Sequence, residues 1–169
     1  MVVTIIALLA LAASAGAEVE ARGVEQFSET ELLGRFASFG EDYFARFHRD
    51  LETAPTDDET VINEGWAIAV PETADPLAEV MAHDLADFMQ QAMGLDLPVK
   101  VFDQTAPSPA ILLTHHGNAG KGFVISTAPD LVHVEGDSPA GLRDGVVKLV
   151  DLIGFRQAPF VQLGEKRYE

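Results

Sequence analysis

The chain contains no cysteine. Disulfides, thiolate nucleophiles and thiolate metal sites are therefore excluded, and packing and hydrogen bonding must hold the fold. Basic residues are scarce: 11 Lys and Arg stand against 27 Asp and Glu, a formal charge of −16. A polyanion is bound through a basic footprint, so a nucleic acid or an anionic membrane surface is excluded as a partner class. The acidity itself is read as solubility. Long apolar runs are confined to Met1 to Ala17; beyond it no stretch reaches the roughly 20 apolar residues that a bilayer span takes. The 169 residues suffice for one domain with one core. They do not hold a hydrolase barrel, which takes about 250 by itself.

What is present begins with an uncharged segment. Val2 to Ala13 is apolar, and Ala13-Ser14-Ala15 and Ala15-Gly16-Ala17 both offer the small-x-small pattern of a signal peptidase site. Residues 1–17 are therefore read as a signal peptide, which places the mature chain outside the cell or in the periplasm. No Lys or Arg lies near Met1, so an uncleaved anchor or a different start stays open. Residues 18–62 divide in two. Ser28-Glu29-Thr30-Glu31 has capping-box spacing, and Leu32, Phe36, Phe39, Tyr43, Phe47 and Leu51 recur at steps of three or four, which predicts an amphipathic helix. Its aromatic stripe is read as packing on its own domain, with a partner surface or a carbohydrate platform as the other uses. Glu52 to Thr60 is acidic, polar and broken by Pro55, as an exposed linker is.

From residue 63 to 160 the pattern is that of one domain. Trp66, Ile68 and Val70 alternate with alanines in a first strand, ending near Pro71. A helix over Pro76 to Met93 presents Leu77, Val80, Met81, Leu85, Phe88, Met89 and Ala92 as its buried side, and Gly94 ends it. Leu97 to Phe102 and Ala110 to Thr114 are two further strands. Phe123 to Ser126 and Leu131 to Glu135 form a hairpin about Ala128-Pro129-Asp130. Gly136-Asp137-Ser138-Pro139 then starts a second helix, capped by Asp137 or Ser138. Leu142, Val146, Leu149, Val150 and Ile153 form its apolar stripe, and Gly154 is placed to end it in the left-handed conformation. The expected class is α+β: a small, mostly antiparallel sheet of about five strands, two helices on one face, and an amphipathic helix in front.

This order of elements, with its small-residue turn Gly136-Asp137-Ser138-Pro139 and its ending Leu152-Ile153-Gly154-Phe155-Arg156, resembles the accessory N-terminal domain that precedes the barrel in several glycoside hydrolases. The family 20 β-hexosaminidases and the family 67 α-glucuronidases are such enzymes. The match runs from about Gly65 to Pro159. It implies a non-catalytic domain, similar in fold to zinc peptidases without their catalytic centre, whose partner is a catalytic barrel. Residues 161–169 would then be a tail leading toward a barrel this chain does not contain, and the chain a truncated product of a longer gene.

The residues themselves offer little chemistry. His83 and Asp87 stand four apart on the first helix, the spacing of the zinc motif His-Glu-x-x-His, but Asp84 replaces the glutamate base and Asp87 the second histidine. Two ligands do not make a zinc site, so no metal is expected. Gly117 to Gly122 lacks the Lys and Ser/Thr of a phosphate loop, since Phe123 and Val124 stand in their places. His115 and His116, at a strand end, are the candidate ligand-binding residues; neighbours on a strand point opposite ways, so they do not share one ion. No catalytic residue and no cofactor is assigned. The expected function is that of a secreted, non-catalytic accessory domain of a carbohydrate-degrading glycoside hydrolase. The alternative is a free-standing secreted module that binds a glycan.

Overall fold

The computed structural model describes residues 47–117 and 120–169. The signal segment, and the helix expected from Ser28 as far as Arg46, lie outside them; Phe47 to Leu51, expected to continue that helix, are not helical. The described elements run, in order, β1 (Glu59–Val61), β2 (Ala67–Pro71), α1 (Pro76–Met93), β3 (Val99–Phe102), β4 (Ala110–His115), β5 (Phe123–Ala128), β6 (Leu131–Gly136), α2 (Pro139–Arg156), β7 (Phe160–Gln162) and β8 (Gly164–Tyr168). Six strands form one sheet in the order β3-β2-β4-β6-β5-β8, and β1 pairs with β7 beside it. Both helices pack on one face, next to each other, with α1 over β2 to β4 and α2 over β4 to β6.

The α+β class is as expected. The sheet is mixed where mostly antiparallel strands are expected: β2 runs parallel to β3 and to β4, β4 parallel to β6, while β5 is antiparallel to β6 and β8. The period-two pattern of a strand carries no direction; the connection does. With α1 between them, β2 and β3 are joined by a crossover and come out parallel. The expected hairpin is present, with Ala128 opposite Leu131 and Pro129-Asp130 as its two-residue turn.

The core lies between the sheet and the helices. Ile68, Val70, Ile111, Leu113, Val132 and Val134 meet Ala78, Ala82, Leu85, Phe88, Leu142, Val146, Leu149 and Ile153. Each large side chain so buried contributes about 1.5–3 kcal/mol. On α1 the buried stripe is turned from the expected one. Ala78 and Ala82 face the sheet, while Leu77 and Met81 are half-buried and Val80 is exposed. Two alanines let the helix lie close to the strands, and the larger residues are left to its flank.

Local chemistry sets the helix ends. The Asp75 carboxylate accepts the Leu77 N–H, Pro76 takes the first position, and Gly94 closes α1 at φ 69°. Of the two candidate caps for α2, Ser138 serves: its hydroxyl accepts the Gly141 N–H and donates to the Gly120 carbonyl at 2.6 Å. Asp137 pairs with Arg167 instead, at 2.9 Å. Gly154 does not end α2. The helix runs on to Arg156, and Gln157, at φ 56°, takes the left-handed position. Gly154 answers a different need: a Cβ there would lie 2.5 Å from the ring of Phe47, which is wedged against it.

Glu59 and Thr60, at the end of the stretch read as linker, are structured. Thr60 is buried and its hydroxyl donates to the Pro129 carbonyl, and Glu59 receives Arg156 Nε at 2.8 Å and Nη2 at 3.1 Å. Those hydrogen bonds from Arg156 pull the Glu59 carboxyl down to about 2. A carboxyl depressed in the folded state stabilises fully above its unfolded value, near 4.3, and that contribution is lost as pH falls through the folded value. Thermal melts from pH 6 down to pH 2 should therefore show Glu59→Gln less stable than the parent above pH 4.5, with the gap closing as pH approaches 2. A gap that stays constant over that window would remove the pairing as its cause.

Candidate functional site

The helix-bearing side of the molecule carries two grooves, one along each flank of α2. Between α1 and α2 lies an apolar groove of about 430 Å³, walled by Met81, Leu85, Val146, Val147 and Val150, with Asp84 and Arg143 at its rim. On the other flank, between α2 and the β7–β8 turn, lies a groove of about 500 Å³ whose walls include Leu152, Phe160, Gln162, Lys166 and Tyr168. Helical geometry explains the pair. The buried stripe of α2 points at the sheet, so Val147 falls on the α1 side, Leu152 on the β8 side and Phe155 between them, facing outward. Val80, Val147, Leu152 and Phe155 are 52%, 48%, 37% and 77% exposed. Single exposed apolar side chains are ordinary; here four lie on two adjacent helices, on the side away from the sheet.

The candidate histidines sit at the end of β4 and point apart, as neighbours on a strand do. The His115 Nε2 accepts the Asp75 N–H at 3.3 Å, and its Nδ1 lies 3.2 Å from the His116 carbonyl. The ring is therefore tied to the start of α1, with Nδ1 carrying the proton. His116 turns to the helix-free side of the sheet and meets Glu135 at 2.6 Å. The structure does not bring the two rings to one point.

Two residues not singled out from the sequence stand beside His116. The His133 Nε2 lies 2.7 Å from the Thr114 hydroxyl on the neighbouring strand. Burial lowers the His133 pKa, and His116 adds to this, while Glu135 works in the opposite direction. The net shift favours the neutral imidazole of His133. The signal for this cluster was the alternation in Leu131 to Gly136, which puts His133 and Glu135 on the face opposite Val132 and Val134. What it could not supply was the parallel neighbour carrying Thr114. A hydroxyl and an imidazole are two parts of a nucleophile–base set, but the carboxylate beside them is taken by His116. His83 and Asp87 are exposed on α1, and the described residues contain no group of three His, Asp or Glu side chains able to hold a metal ion.

A six-stranded mixed sheet with two helices on one face defines an α+β class that occurs as part of larger enzymes. The solved structures similar to this chain are of that kind. The GH20 β-N-acetylhexosaminidase from Streptomyces coelicolor A3(2) superposes with a TM-score of 0.54 at 21% identity, over 73% of this chain and 26% of the enzyme. The Streptomyces plicatus β-hexosaminidase gives a TM-score of 0.52 at 24% identity, over 66% of this chain and 23% of the enzyme. The chain thus spans about a quarter of the length of the structures it matches, and at these identities the likeness is one of fold. No family model matches the sequence, and no curated protein does. Among the described residues no helix is long and apolar enough to cross a membrane.

Proposed function

We propose that this chain is a non-catalytic accessory domain of a carbohydrate-degrading glycoside hydrolase, exported from the cytoplasm, and that its helix face packs against a catalytic barrel. The observation that carries the reading is α2 standing as a ridge between two grooves, with Val80, Val147, Leu152 and Phe155 left exposed on that same side. An apolar surface of this kind costs free energy in water and gains when another domain covers it, at about 25 cal/mol for each Å² removed. A partner that presents two parallel ridges, as adjacent helices on the outside of an α/β barrel do, fits a ridge flanked by two grooves. The fold likeness to GH20 enzymes agrees with this assignment, and the apolar segment at the N-terminus agrees with export. The His115 and His116 pair plays no part in this reading, because each ring is already engaged within the domain.

The test is reconstitution. Barrel domains of glycoside hydrolases, GH20 first, are expressed without their leading α+β domain and mixed with the full chain, and complex formation is followed by light scattering. A complex is expected, and Val147→Asp should weaken it at least about tenfold, since a charge then has to be desolvated in the groove. The variant itself should melt normally, because Val147 is 48% exposed. Absence of a complex with every barrel tried, or a complex indifferent to Val147→Asp, counts against the proposal.

A further inference from the structure

We draw no further inference here: the strongest candidate, the outer edge of β3 at the end of the six-stranded sheet, where Val101 is 57% exposed, carries nothing because nothing in the structure shows what pairs with it.

Discussion

Replacing Phe47 with alanine is expected to lower the unfolding free energy of the chain by about 3–5 kcal/mol, the range for removing a buried aromatic ring. Phe47 is 4% exposed although it lies far from the helices in sequence. Its ring meets Phe88 of α1 edge-on at 5.9 Å and Phe155 of α2 edge-on at 5.7 Å. The backbone after it is tied to the same two helices, with the Arg49 N–H donating to the Ala92 carbonyl and the Asp50 N–H to that of Gln157. Phe47 thus closes the gap between the C-terminal ends of α1 and α2, and alanine would leave a cavity there. Denaturant titration gives the number directly. Leu51→Ala, at a side chain 83% exposed, is the control and should change stability by less than about 0.5 kcal/mol. A loss below about 1 kcal/mol for Phe47→Ala would show that the wedge does not hold the helices together.

A double-mutant cycle sharpens this. Gly154→Ala places a methyl group 2.5 Å from the ring and should destabilise the parent. With Phe47 already truncated, the same methyl group enters vacated space, so the two changes should be strongly non-additive. Additive effects would mean that Gly154 matters for some reason other than the ring.

The second large effect is expected at Gly136. A Cβ there would stand 2.2 Å from the Leu142 nitrogen and 2.7 Å from the Leu142 Cα and from the Ser138 carbonyl oxygen. All three are backbone atoms, so no side chain can turn aside. Gly136→Ala has to push the first turn of α2 away from the end of β6, and overpacking of this kind costs about 1–3 kcal/mol, with failure to fold as the extreme. Because an unfolded variant alone would say little, Gly117→Ala serves beside it. Nothing lies within 4 Å of a Cβ at that position, and the same glycine-to-alanine change should leave stability within about 0.5 kcal/mol of the parent. Equal thermal midpoints for the two variants would contradict the close approach.

What could be read in advance was whatever depends on near neighbours in the chain. The helix starts at Pro76 and Pro139, the Gly94 stop, the turn about Ala128-Pro129-Asp130 and the strand begun at Phe123 are local matters of caps, turns and periods, and each is found in place, the strand running two residues past Ser126 to Ala128. The opposed directions of His115 and His116 belong with them. Strand direction was not legible, since alternation is the same whichever way a neighbour runs. Gly154 shows the limit most plainly. A glycine near the end of a helical pattern reads as a stop, yet here it is internal, because a phenylalanine more than a hundred residues earlier needs the space a side chain would fill. The same holds for Arg156, whose carboxylate partner is Glu59 across the fold, and for Thr114 and His133, which meet only because β4 and β6 are neighbours. The two grooves beside α2 exist only once helix, strand and turn are stacked. Short-range periodicity and capping specified the pieces; long-range packing, where one side chain excludes or completes another, chose how they meet.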